Sequence, residues 1–187
     1  MKFTKMQGCG NDYVYINGFE EKIEQEKKPD LVRYLSERHF GIGSDGVIFI
    51  NPSEIADFEM EMYNADGSRS EMCGNGIRCV AKYVFDKKMV DRNEFTIESF
   101  GKIKDITIIE EAGAAKLIKV GMGSPQLRTE EIPAVYDADT IIAKPIDVDG
   151  TIWEGTCVSM GNPHVVLFVD DVKTLDLEAI GPKFENH

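Results

Sequence analysis

The chain has 187 residues, of which 42% are hydrophobic and 29% charged. That suffices to bury a core without disulfide or metal staples, and it excludes a disordered or collagen-like main state. Lys and Arg total 21 against 33 Asp and Glu, a net charge of −12, so no basic stripe is present to meet nucleic-acid phosphates or an anionic membrane.

The amino terminus, MKFTKMQGCGNDYVYI, lacks the ~7–15-residue apolar core of a secretory signal, and no apolar run reaches the roughly 20 residues of a membrane helix. Cys9, Cys73, Cys79 and Cys157 form no C-x-x-C pair, and His39, His164 and His187 are scattered. These features point to a cytoplasmic protein with reduced thiols, without a zinc site or disulfide framework.

In chain order, Phe3 and Tyr13–Ile16 fall in short strands joined by Gly8–Asn11. A helix is expected to open at Pro29-Asp30-Leu31 and run to Arg38, with Asp30 as its N-cap and Leu31, Val32 and Leu35 as its apolar face. Gly41–Gly46 reads as a turn before a buried strand, Val47–Ile50. Phe58, Met60 and Met62 alternate with Glu59 and Glu61, the pattern of a half-buried strand, and Asn64–Gly67 reads as a hairpin turn.

The clearest helix spans Gly74–Lys88. Ile77, Val80, Ala81, Val84 and Phe85 recur at helical spacing, while Arg78, Lys82 and Asp86 form one thin solvated stripe. Strands are expected over 95–99, 103–110 and 116–120, and Asp149-Gly150 signals a type I′ hairpin. His164–Val169 reads as a continuous apolar strand, and a helix from Asp176 should stop at Gly181-Pro182. The fold class is α+β, because helices are too few to supply the crossovers of a mostly parallel sheet.

The segment Cys73-Gly74-Asn75-Gly76 carries the chemistry. Cys73 immediately precedes the buried helix, and the first N–H groups of a helix have no internal partner. Such an end binds carboxylates and favours a thiolate. Gly74 and Gly76 let a ligand approach the backbone. A lone cysteine is more often a small core residue, but two glycines flanking Asn75 at a helix start favour a thiolate base. His164 reads equally as a substrate-side polar group or a hydrogen-bonded core histidine.

Three motifs, taken in order, resemble the amino-terminal two-thirds of the diaminopimelate epimerase family. They are Gly8-Cys9-Gly10-Asn11-Asp12, Asn64-Ala65-Asp66-Gly67 continuing through Cys73-Gly74-Asn75-Gly76-Ile77-Arg78-Cys79, and Gly161-Asn162-Pro163-His164. The resemblance implies a pyridoxal-independent, metal-free isomerase that interconverts LL- and meso-diaminopimelate on the route to lysine and cell-wall peptide. In that chemistry two cysteines face opposite sides of the α-carbon, one as thiolate base and one as thiol acid.

Cys73 matches one of the two. Asn11, Asn64 and Asn162 match substrate-holding positions, and Gly74 and Asn75 match the backbone clamp on the reacting carboxylate. The family's second cysteine belongs to a later Ala-Cys-Gly motif that lies past His187, so this chain alone is expected to be inactive; neither Cys9 nor Cys157 replaces it. Gln7 and Gly46 stand where the family often has histidine and glutamine.

The implied architecture is two pseudo-symmetric halves, each a curved mixed sheet wrapped around a central helix. Residues 1–117 would form the first half and 118–187 the start of an incomplete second. The expected partner is the small-molecule substrate, with a homodimer allowed. A related racemase or isomerase of the same fold, or a non-catalytic fragment, are the alternatives.

Overall fold

The computed structural model describes residues 1–187. It divides into two compact units, Met1–Met122 and Gly123–His187.

The first unit is an eight-stranded mixed sheet with two helices. Its strands are β1 (Thr4–Gly8), β2 (Asn11–Asn17), β3 (Gly46–Asn51), β4 (Phe58–Asn64), β5 (Arg69–Ser70), β6 (Glu94–Ser99), β7 (Lys102–Glu111) and β8 (Ala114–Val120). The order across the sheet is β1-β2-β3-β4-β6-β7-β8, with β5 paired beside β4. Only β2–β3 and β4–β6 pair in parallel. Each of those connections carries a helix, as parallel pairing requires a crossover: α1 (Lys28–Ser36) and α2 (Gly74–Asp86).

The two helices lie on opposite faces. Ile77, Val80, Ala81 and Val84 of α2 are fully buried against Tyr15, Ile48, Met60, Ile97 and Ile106 of the inner face. Burying each of the branched side chains is worth about 1.5–3 kcal/mol. Both edge strands, β1 and β8, touch α2, so the sheet curls around it. On the outer face Val32 and Leu35 of α1 pack on Val14, Ile16, Val47 and Phe49.

Two details of the first unit depart from the sequence expectation. The N-cap of α1 is Lys27, not Asp30; a 3-10 turn, Gln25–Lys27, leads directly into the helix, and Asp30 sits inside the first turn paired with Arg33. Glu61 is not on a solvated face. It is 4% exposed, because α1 covers the outer side of β4 and brings Lys28 onto it. The strand expected over 116–120 is β8, which pairs with β7 at the end of the first sheet.

The second unit is a three-stranded antiparallel sheet, β9 (Lys144–Val148), β10 (Thr151–Ser159) and β11 (Pro163–Leu167), with one helix, α3 (Leu177–Glu185). Asp149 and Gly150 have φ of 55° and 78°, the conformation a type I′ turn demands. The apolar strand expected over 164–169 is β11, an edge strand whose apolar residues are largely exposed. α3 also runs through Gly181 and Pro182 instead of stopping there. Proline removes one helical donor, a loss best tolerated on an exposed helix, and the last turn is held where Phe184 meets Trp153 edge-on at 5.5 Å.

Candidate active site

Strand register brings the first unit's motif residues to one end of the sheet. Tyr13 of β2 lies opposite Gly46 of β3, which lies opposite Asn64 of β4. Residues directly opposite one another share a face, and so do residues two apart along a strand. Tyr13 and Met62 belong to the inner-face core, so Asn11 and Asn64 also lie on the α2 side. Gly8, paired with Asn11, ends β1 at the same place.

The start of α2 meets this end. A Cβ on Gly8 would stand 3.2 Å from both the Cβ and the carbonyl oxygen of Asn75, so the Gly8–Asn11 turn rests on the helix start. Cys9 and Gly10 both have positive φ, 56° and 85°, which lets the chain reverse in two residues. Ser99 donates to the Glu71 carbonyl at 2.8 Å and anchors the segment before the helix to the end of β6.

Cys73 is the N-cap of α2, half-buried and extended at φ −135°. Its Sγ accepts from the Gly76 N–H at 3.2 Å, and its carbonyl accepts from Ile77 N at 2.9 Å. The N–H groups of Gly74 and Asn75 donate to no protein acceptor. A sulfur and two free amides thus share one helix end, where the macrodipole favours negative charge. A Cβ at position 76 would stand 2.7 Å from Ile48 Cδ1, so a larger residue there would have to displace the end of that side chain, and 3.5 Å from Cys73 Sγ, an ordinary contact.

Asn11 adds a second signal. Its Oδ1 is buried and accepts no hydrogen bond. Leaving such an acceptor unpaired costs about 1–3 kcal/mol, a price expected where a ligand completes the bonding. Asn64 Nδ2 donates to Ser68 Oγ at 3.1 Å within the turn after β4. Burial pushes the Tyr13 phenol up to about 12, and the neighbouring Cys73 acts in the same sense, so the hydroxyl stays a donor at neutral pH.

A charged scaffold stands behind these residues. Asp12 accepts from Arg38 at 2.9 Å and pairs with Lys5 at 2.9 Å. Asp45 accepts the Asp12 N–H through its side chain, and its own carbonyl accepts from Ala65 N. The loop before β3 thereby ties the start of β2 to the end of β4. A separate concavity lined by Lys2, Asn17, Glu20, Tyr83 and Lys87 lies at the opposite end of the sheet, and Lys2 and Glu20 pair with each other there. No group of three or more His, Cys, Asp or Glu side chains is placed to hold a metal ion, and no helix is long and apolar enough to cross a membrane.

Asn162 and His164 belong to the second unit, at the β10–β11 reversal. His164 Nε2 lies 3.1 Å from Asn162 Oδ1, and both residues are exposed, so the histidine is not a core residue. Cys79 is buried in the first core, and burial pushes the half-buried Cys157 thiol up. Sequence reasoning missed Tyr13, which the alternation of β2 could have revealed as lying beside Asn11. It also missed Arg78, taken for a solvated position although it stands one helical turn after Asn75.

Solved structures with the same fold include a PhzF-family phenazine biosynthesis protein of Bacillus anthracis (TM-score 0.61, 18% identity, 91% of this chain and 55% of that one). A probable proline racemase of Agrobacterium radiobacter is also similar (TM-score 0.64, 14% identity, 95% of this chain and 54% of that one). The fold is therefore the α+β class of curled mixed sheets that those proteins share. The diaminopimelate epimerase family model matches residues 3–128. Among similar curated proteins, the diaminopimelate epimerase of Agathobacter rectalis is 54% identical over all of this chain and 67% of its own length. That of Acetivibrio thermocellus is 51% identical over all of this chain and 66% of its own. The chain belongs to the diaminopimelate epimerase family, and it spans about two thirds of the length of these relatives.

Proposed function

We propose that this chain carries one acid–base thiol of a diaminopimelate epimerase, and that the thiol is Cys73. The thiolate takes the α-proton from one face of the substrate's stereocentre, a second thiol on the other face returns a proton, and the roles swap with direction. The observation that supports this most directly is the shared helix end, where the Cys73 sulfur lies beside the unpartnered amides of Gly74 and Asn75.

Those amides would hold the α-carboxylate and thereby stabilise the negative charge that develops as the α-proton leaves. Asn11, with its orphaned oxygen, would accept from the substrate's ammonium, and Asn64 would complete the polar wall on the same face. Asn162 and His164 belong to the proposal as substrate-side groups of the second unit. Cofactor-free action in the cytoplasm, and a homodimer readable by light scattering, belong to it as well.

The test is α-deuterium exchange in heavy water, followed by mass spectrometry: with Cys73 as its one acid–base thiol, the chain should exchange the α-hydrogen of a single stereoisomer and should not interconvert LL- and meso-diaminopimelate. Cys73→Ala should lower the rate by about 10²–10⁴-fold, the usual worth of an acid–base group. Exchange in that variant at the unmodified rate would remove Cys73 from the chemistry.

A further inference from the structure

Six arginines occur in the chain. Arg33, Arg38, Arg69, Arg92 and Arg128 each pair with a carboxylate. Arg78 pairs with none, in a protein whose net charge is −12. Its guanidinium instead turns back toward the start of α2. Nη2 donates to Asn75 Oδ1, Nη1 lies 3.9 Å from where a Gly74 Cβ would stand, and the Cys9 sulfur is 3.9 Å from Nη2.

A cation near a helix N-terminus opposes the macrodipole, and α2 has no acidic residue in its first turn to offset it. Such an arrangement is unfavourable for the helix unless an anion belongs there. The same guanidinium holds the Asn75 side chain, against which the Gly8 turn rests.

We infer that Arg78 is the charge-supplying and positioning residue of the Cys73 site: it keeps the Gly74 and Asn75 amides aimed outward and adds a positive charge that draws a carboxylate to the sulfur. This deepens the proposed epimerase reading and rests on it for the identity of the substrate, but not for the attraction of anions. Arg78 does not exchange protons; it acts through the field at the site and through Asn75.

The experiment compares alkylation of Cys73 by iodoacetate, an anion, and by iodoacetamide, its neutral analogue, in the Cys9→Ser background, with the modified peptide read by mass spectrometry. The iodoacetate-to-iodoacetamide rate ratio should fall about three- to tenfold in Arg78→Met, as expected for removing one nearby, partly screened charge. Arg78→Lys should restore most of it. Added salt should lower the ratio in the arginine form and leave the methionine form nearly flat.

A purely structural role would change both rates together and leave the ratio alone. That outcome, or an unchanged ratio, overturns the inference. Should Arg78→Met fail to fold, the salt dependence of the unsubstituted chain decides, and a flat ratio overturns it. Absence of any diaminopimelate exchange in the unsubstituted chain, with the ratio behaving as described, would instead refute the substrate and leave the role of Arg78 standing.

Discussion

Replacing Glu61 with leucine should destabilise the first unit by about 3–5 kcal/mol, because it strands a buried charge. Lys28 and Glu61 are 7% and 4% exposed, and their charged atoms are 2.5 Å apart. Glu61 also accepts from Gln25, Asn51 and Tyr63, each at 2.8 Å. Removing the carboxylate leaves the Lys28 ammonium over the Phe49 ring, 4.8 Å from its centre, with no counter-charge. The double variant Lys28→Met, Glu61→Leu removes both charges and should recover at least half of the loss, since a buried pair and an apolar pair of like volume are nearly equivalent.

Trp153 lies in the second unit, so the first is followed by hydrogen exchange of the β3 and β4 amides, whose slowest members report its opening free energy. A pH series adds a sign. Burial by itself would raise the Glu61 carboxyl, but the donors, Lys28 foremost, outweigh it and hold the group below its ordinary 4.5. Its contribution is therefore present above that value and is lost as pH falls below it. Glu61→Gln should remove that loss. A single-variant cost under about 1 kcal/mol, with no coupling to Lys28, would refute the burial argument.

Three further outcomes follow from local geometry. Arg38 and Lys5 hold the Asp12 carboxyl at about 2, down from 3.8, so its stabilising share is full above 3.8 and disappears as pH falls through about 2. Arg38→Met should move the Asp12 carboxyl titration toward 3.8 in a carbon NMR experiment, and an unmoved titration would show that Lys5 suffices. Gly46→Ala would place a Cβ 2.0 Å from the Tyr63 carbonyl oxygen and 2.8 Å from the Tyr13 ring. The cost should be about 1–3 kcal/mol or more, with faster amide exchange around Asn64. Gly181→Ala, in open space inside α3, should stabilise that helix by about 0.5–1 kcal/mol, read through Trp153 fluorescence during thermal unfolding.

The helical period of Ile77, Val80, Val84 and Phe85 and the Asp149-Gly150 turn were readable because each is a local signal: a side-chain repeat and a backbone conformation that few residues accept. The glycine-flanked Cys73 was readable for the same reason, since an N-cap followed by free amides is defined by neighbours in the chain. Glu61, Arg78 and the path of α3 through Pro182 were not. Their surroundings come from residues far away in sequence, such as Lys28 beneath β4 and Trp153 against Phe184.

Sequence alone determined which segments could be strands and helices, and which sulfur begins a helix. Tertiary structure decided that parallel pairing of β2 with β3, and antiparallel pairing of β3 with β4, carries Asn11 and Asn64 to the one sheet end where α2 starts. Register depends on hydrogen bonds between distant segments and on which face α2 buries, and neither is encoded in any short stretch of the chain.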